Sequence, residues 1–147
     1  FKKDDPRYRK LYMDDELNKW WGYDYREDLK GEPTNEYFYS FMKGLKDKKE
    51  EYSLSVNLNG ELIGEVVLWN FGFDKSVEVG FRFFKEYHGK GYAKESVSAL
   101  IDYAKNTLLA TKILDRCHKD NLPSKKLIER LGFKKVKEDL THLYFEQ

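Results

Sequence analysis

The chain of 147 residues has a single cysteine, Cys117, three prolines and three histidines. One cysteine excludes an internal disulfide and a cysteine-rich zinc site, and it agrees with a reducing cytoplasm. His88, His118 and His142 do not share metal-ligand spacing, so no metal is expected. No apolar run approaches the ~18 residues that a spanning helix needs, and nothing at the start reads as a leader. Neither charge sign dominates: 27 Lys and Arg face 26 Asp and Glu. That balance removes any general attraction to nucleic acid or an anionic membrane. Repeats, low-complexity tracts and internal linkers are also missing, which predicts one domain over residues 1–147, soluble and cytoplasmic.

What is present is apolar and aromatic material for a core, 40% and 16% of residues. Asp14, Asp15 and Glu16, followed by Leu17, Trp20 and Trp21, predict a short helix near 14–21. Trp20, Trp21, Tyr23 and Tyr25 read as packing or as the lining of an acceptor cleft. After the loop 31–35, with Thr34 or Asn35 as cap, Tyr37, Phe38, Phe41, Met42 and Leu45 recur at helical spacing and predict a helix over 35–49. Tyr52, Leu54, Val56 and Leu58 alternate with polar residues, Asn59-Gly60 suits a type I′ turn, and Leu62 to Trp69 returns. A third strand is expected from Val77 to Phe84, and Gly80 within it is a candidate bulge. Ala93, Val97, Leu100, Ile101, Ala104 and Leu108 form one stripe on a helix. A strand over Lys112 to Cys117, a helix from Pro123 to Leu131 and terminal strands at 133–137 and 141–145 complete an α+β chain. Cys117-His118 resembles a nucleophile pair, but neighbours on a strand face opposite ways, so Cys117 reads as a buried thiol.

The stretch His88-Gly89-Lys90-Gly91-Tyr92-Ala93 lies between the third strand and the long helix. Two glycines let the backbone turn sharply and aim several N–H groups at one spot. The helix start adds its unpaired donors and its positive dipole end, which favours an anion such as a pyrophosphate. A dinucleotide fingerprint would need Gly or Ala where Lys94 stands, and a P-loop would need Gly-Lys-Ser/Thr after a longer glycine spacing; neither fits.

The pattern His88-x-x-Gly91-x-Ala93 resembles the acetyl-coenzyme A loop of the GCN5-related N-acetyltransferases, with His88 where Arg or Gln is usual. The longer string Tyr87 to Ala93 is similar to the branch of ribosomal-protein alanine acetyltransferases. Asn121-x-x-Ser124-x-x-Leu127-Ile128-Glu129-Arg130-Leu131-Gly132-Phe133 resembles a second family motif, and the likeness runs over roughly residues 50–147. The strand with which the family opens before its first helix is not found here, and the likeness implies a single mixed, mostly antiparallel twisted sheet flanked by helices, with the acetyl-coenzyme A half at about 76–133. It also implies that the strand bearing Phe81, Arg82 and Phe83 runs beside the pantetheine arm, with the pyrophosphate on the amides of His88, Gly89, Lys90, Gly91, Tyr92 and Ala93. Asn121 and Ser124 would face the thioester from the other side, although Asn121 also reads as a turn residue.

Direct transfer from the thioester needs a neutral amine and a proton for the leaving thiolate. Many relatives supply that proton from a tyrosine at the position held here by Ile128, which leaves Ser124 as the candidate. Glu78 is the candidate base; its side chain points away from Val77 and Val79, so it also reads, and more readily, as a solvent-facing strand residue. An α-amine with a pKa near ~8 is far more often neutral than a lysine near ~10.4, which favours a protein or peptide N-terminus or a small-molecule primary amine as acceptor. The acceptor pocket is expected from Trp20 to Leu29 and Phe71 to Lys75, in a monomer or homodimer. The alternative from another class is a coenzyme A-binding module without activity.

Overall fold

The computed structural model describes residues 5–23, 26 and 34–147. Asn59 and Gly60 take φ of 51° and 85°, the left-handed pair of a type I′ turn, and fold β1 (Glu51–Leu58) onto β2 (Glu61–Trp69). β3 (Ser76–Phe83) continues the antiparallel run. A 3-10 turn (Lys85–Tyr87) and the two-glycine loop then lead into α4 (Tyr92–Asn106). β4 (Lys112–His118), α5 (Leu122–Arg130), β5 (Lys134–Glu138) and β6 (His142–Glu146) follow. The result is a six-stranded sheet of order β1-β2-β3-β4-β6-β5, antiparallel throughout except where β3 meets β4. Among the described residues no strand precedes the first helix.

Apolar side chains line both faces of this sheet. Val97, Leu100, Ile101 and Ala104 of α4, with Ile128 of α5, pack on Leu68, Val79, Ile113 and Phe145. On the other face Tyr8, Leu11 and Tyr12 meet Phe38 and Met42 over Leu62 and Phe84. Each such buried side chain stabilises by about 1.5–3 kcal/mol.

The N-terminal helices differ from the expected segment 14–21. α1 spans Pro6–Met13: Asp5 accepts from the Arg7 N–H at 2.9 Å, Pro6 fills the first turn, and Tyr8, Leu11 and Tyr12 form the buried stripe. Asp14 ends α1 and caps the short α2 (Asp15–Asn18) through the Leu17 N–H at 2.9 Å, so residues 19–21 form a turn instead of a helix. α3 (Asn35–Asp47) begins at the expected cap, with Thr34 accepting from the Tyr37 N–H at 3.1 Å. The expected loop residues 31–33 and Tyr25 lie outside the described residues. Gly80 is not a bulge, because the β2–β3 register runs unshifted through the Val67–Gly80 pair. Its hydrogen matters for clearance: a Cβ there would sit 2.9 Å from Val67 Cγ2.

Candidate functional site

The sheet opens at its parallel junction. β3 and β4 pair only from Ser76–Lys112 to Glu78–Leu114, and then part. Which backbone groups face the gap follows from strand alternation. Ile113 and Gln147 exchange main-chain bonds, and the Lys119 N–H donates to Thr141 O at 2.8 Å, so Ile113, Asp115 and Cys117 turn toward β6. The groups of Arg116 and His118 therefore face the gap. On the opposite wall, Lys75 O accepts from the Thr111 N–H while the Phe84 N–H donates to Ile63 O, so Val79, Phe81 and Phe83 face it too. Two half-strands thus offer donors and acceptors to an extended ligand, apart from Phe83 O and the Arg116 N–H, which His88 and Asp115 engage.

At the mouth of this gap stands the N-terminus of α4. α1, α2, α3 and α5 are capped by the side chains of Asp5, Asp14, Thr34 and Asn121, whereas α4 is capped by Gly91, with φ of 86° and no side-chain bond. The first helical bond runs from the Glu95 N–H to Gly91 O, so the N–H groups of Tyr92, Ala93 and Lys94 have no acceptor within the helix. Gly89, with φ of 71°, turns the chain toward them. His88 plays a different part from the one expected: its N–H donates to Lys85 O at 3.1 Å, and its Nε2–H donates to Phe83 O at 2.7 Å. It ties the loop to the strand end, and Gly89 to Lys94 form the cradle.

Arg82 also departs from the expectation. Its main chain bonds toward β2, and its guanidinium is buried on the face of α1 and α2, with Nε 2.8 Å and Nη2 2.6 Å from Glu65 Oε2. Tyr12 and Ser53 hydroxyls donate to the other Glu65 oxygen, Asn18 accepts from Arg82, and the Tyr12 and Trp21 rings sandwich the guanidinium at 4.1 and 4.2 Å. Arg7 makes a second tie, pairing with Glu61 on the hairpin and with Glu86 at 2.7 Å, just ahead of the cradle.

Glu78, the last residue of β3 to pair with β4, is buried and not solvent-facing. Burial pushes its carboxyl above the ordinary glutamate value; Arg116 Nε at 2.8 Å and Asn70 Nδ2 at 3.2 Å oppose the rise. On the same face Trp20 stacks on His118 with ring centroids 4.3 Å apart. Of the other segment expected to form the acceptor pocket, Phe71 and Phe73 are exposed. Asn121 caps α5 by accepting from the Ser124 N–H at 3.4 Å, which leaves the half-buried Ser124 hydroxyl on the first turn. Ile128 is fully buried in the core. Cys117 is buried as expected, and its thiol is pushed up to about 11 by burial and by Asp115.

One residue escaped sequence reasoning. Asp115 alternates with Ile113 and Cys117, both apolar and buried, which was the available signal for a buried acid. Its Oδ1 accepts from the Arg116 N–H at 2.7 Å. Among the described residues no group of three or more metal-ligating side chains occurs, and no helix is long and apolar enough to cross a membrane.

The family model described as Acetyltransferase (GNAT) domain matches residues 1–134. The uncharacterized N-acetyltransferase YnaD of Bacillus subtilis (strain 168) is 26% identical over 93 residues, 63% of this chain and 55% of that one. The chain spans between 34% and 55% of the length of the curated relatives it matches. Mycobacterium smegmatis RimJ, solved in complex with CoA-disulfide, superposes with a TM-score of 0.78 at 17% identity, over 95% of this chain and 75% of that one. Vibrio cholerae spermidine N-acetyltransferase, solved with CoA and spermine, gives a TM-score of 0.74 at 18% identity, over 95% of this chain and 87% of that one. At these identities the likeness to the two structures shows the fold.

Proposed function

Because this chain belongs to the GNAT acetyltransferase family, we propose that it transfers an acetyl group from acetyl-coenzyme A directly to a primary amine. The observation that carries this reading is the gap between β3 and β4, with the uncapped helix α4 at its mouth. The pantetheine amides pair with the main chain of Val79 and Phe81, and the pyrophosphate rests on the N–H groups of Gly89 to Lys94. Lys90, exposed beside them, adds a positive charge. The thioester end then lies toward the closed end of the gap, at Glu78 and Leu114.

The acceptor approaches from the face of Glu78, Trp20 and His118. Glu78, raised above its ordinary value, takes the proton that the amine sheds, directly or through a water. Ser124, on the first turn of α5, hydrogen-bonds the sulfur from the opposite side. With one buried carboxylate as base, the site suits an amine that is often neutral, so the acceptor is a protein or peptide N-terminus or a small-molecule amine. The CoA-disulfide bound in RimJ and the CoA bound in the spermidine N-acetyltransferase support the donor; the spermine in the latter supports an amine acceptor. The fully buried Ile128, where many relatives carry a tyrosine, favours a second reading as a coenzyme A-binding module without turnover.

Calorimetry with coenzyme A and a free-thiol assay with peptides, polyamines and aminoglycosides separate the two readings. Glu78→Gln is expected to lower kcat about 10²-fold with coenzyme A affinity retained. No coenzyme A uptake by folded protein refutes both, and uptake without turnover leaves the module.

A further inference from the structure

Asp115 is 4% exposed, and its Oδ2 has no hydrogen-bond partner among the described residues. Such an atom is costly unless it is protonated or awaits a partner. Its position is unusual in a second way. Past Leu114 the main chain of Arg116 faces the gap, and the Arg116 N–H, no longer paired with β3, is the donor that Asp115 Oδ1 takes at 2.7 Å. The carboxyl is therefore turned to the edge of β4 where the strands part, beside Glu78. Asp115 Cβ lies on the core face, the face that carries Cys117 and Ile128.

We propose that Asp115 is the proton donor to the departing coenzyme A thiolate. The inference rests on the acetyl-transfer reading and deepens it. A serine hydroxyl is a much weaker acid than a thiol, so Ser124 can hydrogen-bond the sulfur but has no proton to surrender to it. Ile128 has none either. Burial pushes the Asp115 carboxyl well above the ordinary aspartate value, and the charge of Glu78 adds to the rise against the opposing pull of the Arg116 N–H and guanidinium. Lys125 and Glu129 of α5 act on the adjoining Cys117, and Phe145 of β6, which pairs with Asp115 across the sheet, is apolar. The protonated acid is the form a thiolate can use.

The step balances without a further reactant. The amine nitrogen forms the C–N bond, and the C–S bond breaks with its electron pair on sulfur. The Asp115 proton moves to that sulfur, while the nitrogen loses one proton to Glu78 or water. After the thiol departs, Asp115 regains a proton and Glu78 sheds one to solvent, so amine and thioester become amide and thiol.

Two measurements test this. With the best acceptor from the thiol assay, Asp115→Asn is expected to lower kcat about 10²-fold, to leave the acetyl-coenzyme A KM nearly unchanged, and to abolish the alkaline limb of the kcat profile. Unchanged kcat, or a fall with the limb retained, overturns the proposal. In wild-type protein labelled with carboxyl-¹³C aspartate, one signal is expected to stay protonated at neutral pH and to move on adding coenzyme A. This reading survives even if the variant misfolds; a full set of ionised aspartates at neutral pH, or a protonated one indifferent to coenzyme A, overturns the assignment. Absence of coenzyme A binding by the wild type overturns the underlying reading, whereas binding and turnover with an inert Asp115→Asn overturns this inference alone.

Discussion

Removing either half of the Glu65–Arg82 pair should damage the fold far more than removing both. Glu65 is fully buried and Arg82 is 4% exposed, so neither charge has recourse to water once its partner is gone. Breaking such a pair costs about 3–5 kcal/mol, because the surviving ion stays desolvated. Arg82→Met also forfeits the sandwich between Tyr12 and Trp21, at 4.1 and 4.2 Å, and leaves Glu65 with two hydroxyl donors. Glu65→Leu removes the buried carboxylate that the guanidinium meets through both Nε and Nη2. For a domain of this size each kcal/mol moves the melting point by about 2–4 °C, so each single variant should melt on the order of 10 °C lower. The double variant replaces the pair with apolar volume and should recover much of that loss, giving a coupling of about 2 kcal/mol or more in urea denaturation at constant slope. Additivity of the two singles to within about 0.5 kcal/mol would refute the reasoning.

Cys117, with a thiol at about 11, should react with a disulfide reagent at pH ~8 about a hundredfold more slowly in the native protein than in urea; equal rates would show the thiol is accessible. Bonds from the His142 N–H at 2.8 Å, the Tyr144 hydroxyl at 2.7 Å and the Thr141 N–H at 2.9 Å hold Asp139 well below the ordinary aspartate value. A depressed group stabilises above its unfolded value of ~3.9 and loses that effect as pH falls toward its folded one. Asp139→Asn should therefore melt lower than wild type at neutral pH, with the difference shrinking as melts are taken to about pH 2; a constant offset would contradict this. Gly91→Ala places a Cβ at φ of 86°, a strain of about 1–2 kcal/mol, and should weaken coenzyme A binding about tenfold by calorimetry. Gly60→Ala carries similar strain at φ of 85° in the hairpin turn and should leave that affinity unchanged.

The elements legible in the sequence were those whose signals are local. Asn59-Gly60, the α4 stripe from Ala93 to Ala104 and the Thr34 cap each specify their structure within a few residues and stand where they were read, while Leu108, read on the same stripe, lies past the end of α4. α1 was missed although its signals were present, since Asp5, Pro6 and the Tyr8-Leu11-Tyr12 spacing sit in a highly charged stretch that masks them. The fate of Arg82 could not be read locally. Alternation gives its face, but its partner is set by the β2–β3 register, which brings Glu65 opposite it. Glu78 has the same limitation, since a carboxylate on a strand reads as surface until the neighbouring strand is placed, whereas Asp115 carried a local signal in its apolar flanks Ile113 and Cys117.

That ladder length has a consequence for how the sheet breathes. Phe83 carries a buried side chain, yet its amide proton, like that of Phe81, faces the parting and not a neighbouring strand. Deuterium should enter these positions quickly in the ligand-free protein, in the middle of an otherwise slow-exchanging sheet, while Gly80 and Arg82, bonded to β2, stay protected. The strand thus exchanges along one edge and is sealed along the other.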